Sequence, residues 1–271
     1  MILSDIEQRI KAKIEAIGTP LKDWDISINY GIKTGFNDAF IIDGEKRAEL
    51  IAQDPKSEEI IRPILRGRDI KRYGYEFANL YIIATFPSLK IDIESYPAVK
   101  EHLLSFGYDR LKQTGGKGAR KKTNNKWFET QDSISYWEDF YKQKIVYPNM
   151  TKFMPFLLDK ESFMTNQKCF IMTGKKLAYL TTFFNSNIFK ICYRDNFPEL
   201  QGGTRELSKI FFEQVKIPDV EDIIDIDFDT LVDDVQKGND NISLKLEKVL
   251  ILALELEQYQ EYILNYDINL K

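Results

Sequence analysis

Histidine and cysteine are almost missing from this sequence. The 271 residues include one histidine, His102, and two cysteines, Cys169 and Cys192. A single imidazole excludes most metal sites and acid–base sites that use several histidines. Two cysteines are too few for a disulfide framework, so we interpret them as buried thiols in a reducing cytoplasm.

Long apolar runs are missing as well. Residues 1–18 carry charges throughout, so a signal peptide is not expected. No stretch approaches the ~20 consecutive apolar residues that a membrane span needs. We therefore expect a cytoplasmic protein without a membrane partner. The length is sufficient for one large or two small domains with a sizeable core.

The net charge of −4 hides an uneven distribution of charge. Residues 219–240 hold nine acids and one lysine, a net of −8, which leaves +4 for the rest of the chain. Residues 62–72 hold five basic residues and one acid, and residues 110–126 hold seven basic residues and no acid. A single basic run is usually a solvated surface. Two such runs, interleaved with Gly, Tyr, Asn or Trp, favour a nucleic-acid partner because the local field attracts a polyanion.

Apolar periodicity predicts a chain of mixed α/β content. Ser4 and Glu7 form a capping box, and isoleucines at helical spacing follow, which predicts a helix over residues 4–17. Further helices are predicted at residues 45–53, 97–105, 175–185, 187–193 and 208–213. Strands are predicted at residues 24–30, 40–42, 80–86, 144–147, 156–158, 169–172 and 215–217. Residues 110–125 contain few apolar side chains, and we expect a long, mobile polar loop there.

The character of the chain changes after residue 218. A short acidic helix is predicted at residues 228–235, and a wide apolar stripe over residues 242–263 predicts a helix of about six turns. That stripe needs a partner, and we expect the N-terminal helix to supply it as a helical stalk. The predicted organisation is an N-terminal stalk helix (residues 1–20), a central domain (residues 21–218) and a C-terminal helical spacer for docking (residues 219–271).

A glycine loop lies within the sequence YGIKTGFNDAFIID of residues 30–43. Gly31 and Gly35 bracket Lys33 and Thr34, and Asn37 follows. Glycine permits a close approach of the backbone to a ligand, and lysine and asparagine can meet a phosphate or a base edge. An ordinary hairpin with a polar tip explains this stretch equally well.

Several other motifs follow in a fixed order. They are PLKDWDI, IIRPILRGRDIKRY, KWFE, KIVYP, FFNS and VKIP, at residues 20–26, 60–73, 126–129, 144–148, 183–186 and 215–218. The ordered set resembles the TaqI-like C-terminal specificity domain of type IIG restriction–modification enzymes, over roughly residues 14–218. The resemblance implies a target recognition domain, built on a mixed, mainly antiparallel sheet with flanking helices. Such a domain reads double-stranded DNA for a fused methyltransferase and nuclease.

The resemblance implies DNA-binding residues in four segments. The glycine loop supplies Lys33, Thr34 and Asn37. The basic block of residues 62–72 and the tyrosine after it supply Arg66, Arg68, Lys71, Arg72 and Tyr73. The polar loop supplies Lys117, Arg120, Lys121, Lys122, Asn124, Asn125 and Lys126, and a second glycine loop supplies Gln201, Thr204 and Arg205. Basic side chains would grip phosphates or guanine, and amides would read adenine.

Structural alternatives exist for several of these residues. Asp69 could hold Arg66, Arg68 or Arg72 in an internal ion pair. The second glycine loop could be a helix N-terminal turn without a ligand. Trp127 is more often a core anchor at the foot of the polar loop than a platform for base stacking.

The motifs of catalysis are not found in the sequence. An adenine methyltransferase of this kind uses a Pro-Pro-aromatic motif and a glycine-rich loop for S-adenosylmethionine, and neither occurs. Asp225, Asp227 and Asp229 do not match a calcium loop because Thr230 and Gln236 take its glycine and glutamate positions; an acidic helix start fits better. We therefore predict no catalytic residue, metal or cofactor in this chain, with S-adenosylmethionine and Mg²⁺ implied for the parent enzyme.

Three other interpretations stay open. The chain could be half of a type I restriction specificity subunit, which also carries a helical spacer. It could be a protein-interaction scaffold whose acidic helices bind a partner. It could also be an enzyme with an unrecognised site.

Overall fold

The computed structural model describes residues 3–221 and 224–267. Its α-helices are Asp5–Ile17, Asn37–Phe40, Gly44–Gln53, Pro97–Leu104, Tyr108–Leu111, Leu177–Asn185, Asn187–Tyr193, Lys209–Phe212, Phe228–Gln236, Asp240–Ala253 and Gln260–Leu264. Its strands are Thr19–Pro20, Ile26–Tyr30, Ile41–Asp43, Ile61–Leu65, Ile70–Lys71, Gly74–Tyr75, Leu80–Ile83, Lys144–Pro148, Met150–Thr151, Leu157–Asp159, Met164–Thr165, Cys169–Gly174, Arg205–Glu206 and Lys216–Ile217. The mixed α/β class predicted from the sequence is confirmed.

A four-stranded antiparallel sheet forms the centre of the molecule. Its strands run in the order Leu157–Asp159, Lys144–Pro148, Cys169–Gly174 and Ile26–Tyr30. All five residues of Lys144–Pro148 are buried, because helices cover one face of the sheet and a second sheet packs in a cluster with the other face. The helices Leu177–Asn185 and Asn187–Tyr193 lie in the same hydrophobic cluster as this sheet, which explains why nearly every one of their residues is buried.

A second four-stranded sheet is of mixed direction. Its order is Met164–Thr165, Ile61–Leu65, Leu80–Ile83 and Ile41–Asp43, and only the first pairing is parallel. The strand Ile61–Leu65 was not predicted, since proline is rare inside a sheet and Pro63 interrupts its pattern. The chain passes from this sheet to the central one between Thr165 and Cys169, which brings ends of both sheets together.

The N-terminal helix forms as predicted. The Ser4 hydroxyl accepts a hydrogen bond from the Glu7 amide at 3.3 Å, and the Glu7 carboxylate accepts one from the Ser4 amide at 2.8 Å. This capping box starts the helix. Ile10 and Ile14 are fully buried, and the helix packs mainly against Asn187–Tyr193.

The C-terminal apolar stripe does not form one helix of six turns. The helix Asp240–Ala253 ends at Leu254, and Glu255 takes the left-handed conformation with φ +51°. Lys13 of the N-terminal helix donates to the Glu255 carbonyl oxygen at 2.6 Å, which satisfies a backbone acceptor at this break. The break turns the short helix Gln260–Leu264 back, so that Ile263 is buried.

The terminal helices therefore pack on the body of the molecule. Ile10 and Ile14, the central sheet, and Leu250, Leu254 and Ile263 belong to one hydrophobic cluster. The sequence predicted that the two terminal helices pair with each other as a stalk. This pairing is wrong, because the helix Asp240–Ala253 packs mainly against Phe228–Gln236 and other helices. The domain limits at residues 20 and 218 stay a prediction. Residues 1–2, 222–223 and 268–271, which fall in the two predicted terminal regions, lie outside the described residues.

Two further expectations concern the cysteines and membrane spans. Cys169 and Cys192 are free and buried, and burial raises the pKa of both thiols far above the ordinary value. Among the helices of residues 3–221 and 224–267, none is long and apolar enough to cross a membrane.

Candidate nucleic-acid interface

Asp69 organises the basic block. Its buried carboxylate accepts hydrogen bonds from the Arg66 amide at 2.8 Å, from Arg66 Nε at 3.0 Å and from Arg66 Nη2 at 2.8 Å. The internal ion pair considered from the sequence is thus present, and its partner is Arg66. Pairing with Asp69 engages Nε and Nη2 of Arg66, whose side chain is only a quarter exposed. Arg68 lies on the outer side of the same turn and is exposed.

A groove of ≈ 710 Å³ lies beside this turn, where strands of the two sheets end. Arg66 follows the strand Ile61–Leu65, Pro148 ends the strand Lys144–Pro148, and Lys168 precedes the strand Cys169–Gly174. Six basic side chains line the groove: Arg66, Arg68, Lys71, Arg72, Lys168 and Lys190. Its apolar wall is formed by Ile70, Pro148, Met150, Phe153 and Pro155. No acidic residue belongs to the described lining, so the groove is suited to an anion.

Lys71 and Arg72 lie at the rim of the groove. Lys71 is exposed and reaches Glu76 at 3.3 Å and the Arg68 carbonyl oxygen at 3.2 Å. Arg72 donates to the Asn185 carbonyl oxygen at 3.1 Å and to Ser243 Oγ at 2.7 Å. These bonds connect the basic block to the helices Leu177–Asn185 and Asp240–Ala253.

Tyr73 does not fit the role that the resemblance implied. It is 3 % exposed, belongs to the main hydrophobic cluster and has φ +59°. Burial raises the pKa of its phenol well above the ordinary value. Its ring is a core group beneath the block, and we correct its assignment to DNA binding because the side chain has no outer surface to offer.

The polar loop, residues 110–126, is folded around Arg120. This side chain is 2 % exposed and donates to the carbonyl oxygens of Leu111 (2.7 Å), Thr34 (2.9 Å), Glu129 (2.8 Å) and Trp127 (2.6 Å). Burial, with Arg110 nearby, lowers the pKa of its guanidinium to about 10, so it stays charged at neutral pH. The assignment of Arg120 to phosphate binding is therefore corrected. Its donors are consumed by the backbone that it holds together.

The other predicted residues of the polar loop divide into two groups. The Asn125 amide donates to the carbonyl oxygens of Thr130 and Gln131 at 3.1 and 2.9 Å, so it also supports the loop. Trp127 is half-buried and packs against the cluster that contains Phe128, as an anchor does. The remaining side chains are exposed: Lys117, Lys121, Lys122, Asn124 and Lys126.

The first glycine loop packs against the polar loop. The buried Thr34 hydroxyl donates to Asn37 Oδ1 at 2.7 Å and accepts from the Phe36 amide at 3.1 Å. Thr34 is therefore a turn residue, and we correct its assignment to DNA binding because it is fully buried. Asn37 is exposed at the start of a short helix, and Lys33 is half-buried. A Cβ at Gly31 would lie 2.0 Å from the carbonyl oxygen of Asn166, a residue of the groove.

Nearby carboxylates neutralise the arginine of the second glycine loop, Arg205. Arg205 is buried and donates to Asp195 at 2.9 Å and to the Phe197 carbonyl oxygen at 3.2 Å; Glu199 lies 3.0 Å away. We correct its assignment to DNA binding, since two carboxylates already balance its charge. Gln201 is exposed, and Thr204 is half-buried.

These segments are connected through the groove. The strand Arg205–Glu206 pairs with Met150–Thr151, which forms one wall of the groove. Arg120 joins the polar loop to Thr34, and the neighbouring Ile32 forms a bridge with Asn166. Among the cations predicted from the sequence, Arg68 and Lys71 share the groove, Lys121 is exposed on the polar loop, and Arg205 is buried beside the groove wall.

Several residues of the groove were missed in the sequence analysis. They are Met150, Phe153, Asn166, Lys168 and Lys190. Lys190 carried a recognisable signal, because it is the only charged residue within the apolar helix Asn187–Tyr193. Met150 and Phe153 carried none, since the sequence does not reveal which apolar side chains stay exposed after folding.

The described part of the acidic region begins a helix. Asp227 caps the helix Phe228–Gln236, accepting from the Thr230 amide at 3.1 Å, and the hydrogen bond from the Thr230 side chain lowers the pKa of its carboxyl. The sequence interpretation of an acidic helix start is confirmed. Within the described part of the chain, no group of three or more His, Cys, Asp or Glu side chains could hold a metal ion.

The mixed α/β fold and the basic groove are features of a domain suited to a polyanion. The model of the TaqI-like C-terminal specificity domain matches residues 62–217, more than half of the chain. The chain therefore belongs to the TaqI-like C-terminal specificity domain family, as its motifs indicated. No curated protein matches the sequence.

Two solved restriction enzymes share this fold. The type IIG restriction endonuclease BpuSI is similar with a TM-score of 0.58 and 15 % identity, over 95 % of this chain and 33 % of that one. The type IIL restriction–modification enzyme MmeI, solved in complex with DNA, is similar with a TM-score of 0.55 and 12 % identity, over 88 % of this chain and 33 % of that one. The chain spans about a third of the length of these two proteins.

Proposed function

We propose that this chain reads a double-stranded DNA target sequence, with the basic groove as the centre of its contact surface. The observation that carries the proposal is the lining of the groove: six basic side chains and no acid among the described residues. Membership in a specificity domain family supports the same role.

Arg68 is the best candidate for contact with a base. It is exposed at the groove, and the described residues give its guanidinium no ion-pair partner. A free guanidinium can donate two parallel hydrogen bonds to O6 and N7 of guanine, a contact that discriminates by ~1–3 kcal/mol. The turn that Asp69 and Arg66 close holds the Arg68 backbone in place.

Other exposed residues supply phosphate contacts and further base contacts. Lys71 and Lys168 at the groove, with Lys117, Lys121, Lys122 and Lys126 on the polar loop, are suited to phosphates as compact point charges. The exposed amides of Asn37, Asn124 and Gln201 can pair with adenine. Met150 and Phe153, which are 44 % and 55 % exposed, add an apolar edge that can contact a thymine methyl group.

The wider assembly is also a proposal. By likeness to BpuSI, we infer a type IIG parent enzyme in which methyltransferase and nuclease domains carry out catalysis and hold S-adenosylmethionine and Mg²⁺. This chain would direct those domains to the target and would itself be non-catalytic. The C-terminal helical region, residues 219–271, would dock to them.

Repeated selection from a pool of random-sequence 30-base-pair duplexes tests the proposal. We expect a single enriched sequence, bound about 10³-fold or more tightly than the starting pool and with strong salt dependence. As a control, the Lys175→Ala variant should select the same sequence, because Lys175 is exposed and paired with Asp25 and does not line the groove. Equal binding of all duplexes would refute the proposal.

A further inference from the structure

Lys190 is the one groove residue that is both charged and almost completely buried. Its side chain lines the groove, yet the residue is only 9 % exposed. It lies in the helix Asn187–Tyr193, between Phe189 and Ile191, both of which belong to the main hydrophobic cluster. Within the described part of the chain, its ammonium has no hydrogen-bond or ion-pair partner. Burial of most of the side chain disfavours the charged form, and the groove is the side from which a ligand can reach the ammonium.

The charges around Lys190 come from three segments of the chain. Arg72 of the basic block opposes its positive charge, and Glu247 of the helix Asp240–Ala253 and, more weakly, Asp267 favour it. The Glu247 carboxylate is already engaged, because it accepts from the Asn187 amide at 2.9 and 3.1 Å and lies 3.8 Å from Arg72. The groove itself supplies further cations and no carboxylate. An incoming anion would therefore complete the coordination of the Lys190 ammonium.

We propose that Lys190 forms an anion subsite within the groove and takes a phosphate group of the bound DNA strand. The ammonium donates to a non-bridging phosphate oxygen, while Arg68 contacts a base and Lys168 contacts another phosphate. The inference rests on the proposed function, and it assigns to DNA binding a residue that the motifs of the chain do not mark. No covalent step is involved.

The salt dependence of DNA binding separates this role from a structural one. For Lys190→Met, we expect about tenfold weaker binding of the random duplex pool and of the selected duplex alike. We also expect the slope of log K against log salt to become shallower by about 0.9, the value for one phosphate contact on duplex DNA. Lys190→Arg should restore the slope, and Lys175→Met is the matched control. An unchanged slope in a folded Lys190→Met protein would overturn the subsite.

The pH dependence of affinity provides a second measurement that does not depend on Lys190→Met folding. Burial lowers the pKa of the Lys190 ammonium to about 8, and a bound phosphate favours the protonated form. Wild-type affinity should therefore fall by up to about tenfold between pH 7 and pH 9. Lys190→Arg should lose this dependence, whereas contributions from other groups are common to both proteins and cancel. Identical pH profiles for the two proteins would contradict the proposal.

Three outcomes identify which proposal fails. If the wild-type chain binds the duplex pool but selects no sequence, the proposed function fails, while the slopes for Lys190→Met still decide the subsite. If inorganic phosphate raises the melting temperature of the wild type but not of Lys190→Met, while both bind DNA with the same slope, the groove holds a small anion. That result would overturn the DNA phosphate assignment. Failure of the wild type to bind any duplex would overturn both proposals.

Discussion

The basic block and the polar loop have similar compositions but use their arginines differently. In the block, the Asp69 carboxylate engages Arg66 and leaves Arg68 exposed at the groove. In the polar loop, Arg120 has no such acid and turns inward to four backbone carbonyl oxygens, while the lysines stay outside. A basic run is therefore a mixture of structural and available cations. The hydrogen-bond acceptors near each arginine decide whether it is held inside the protein or stays exposed to a ligand.

The largest expected effect is loss of the Arg120 guanidinium. Arg120→Ala leaves carbonyl oxygens of Leu111, Thr34, Glu129 and Trp127 without a donor in a buried site. We expect the free energy of unfolding, measured with urea, to fall by about 3–5 kcal/mol. The neighbouring Lys121→Ala should change it by less than about 0.5 kcal/mol. Similar losses in both variants would contradict the distinction between structural and available cations.

Asp69 provides the second test, now in the basic block. Asp69→Asn keeps the size of the side chain but removes the charge that pairs with Arg66, and we expect a loss of about 2 kcal/mol in urea unfolding. Glu76→Gln is the control, because Glu76 pairs with Lys71 in solvent and such exposed pairs contribute little. Equal stability of the two variants would mean that Asp69 does not organise the turn.

Arg68→Ala should affect binding and not stability. Its side chain is exposed, so urea unfolding should stay within about 0.5 kcal/mol of the wild type. Affinity for the selected duplex should fall by about 1–3 kcal/mol, with relaxed preference at one base position. Repeating the selection with the variant measures both quantities. Retention of the full preference would remove Arg68 from the set of base-reading residues.

The exposed lysines of the polar loop should have the smallest effect on sequence preference. Lys121→Glu combined with Lys122→Glu should weaken all duplexes about tenfold and reduce the salt slope by about 2. Fluorescence anisotropy at several salt concentrations measures this change. A protein-interaction scaffold with an incidental basic loop would show no change.

The sequence predicted the elements whose signals are local. The capping box of Ser4 and Glu7 and the Asp227 cap were visible because each motif spans four residues. The strand Lys144–Pro148 was visible as an uninterrupted apolar segment after Lys144. Family motifs added the location of the basic block. These signals give the fold class and the region of the site.

Features that depend on contacts distant in sequence were not predictable. Arg120 and Thr34 are 86 residues apart, so no local pattern indicated that the Arg120 side chain is buried and donates to the Thr34 carbonyl oxygen. The end of the helix Asp240–Ala253 depends in part on Lys13, which is far away along the chain. The burial of Arg205 depends on Asp195 and Glu199, whose side chains approach it only after the loop closes.

The most direct test of the central claim is lysine footprinting with and without the selected duplex. Acetylation of exposed lysines, read by mass spectrometry, reports which ammonium groups DNA covers. We predict strong protection of Lys71 and Lys168 at the groove and none of Lys160 and Lys175, which pair with acids elsewhere. Protection of Lys160 and Lys175 with full reactivity of Lys71 and Lys168 would contradict the account.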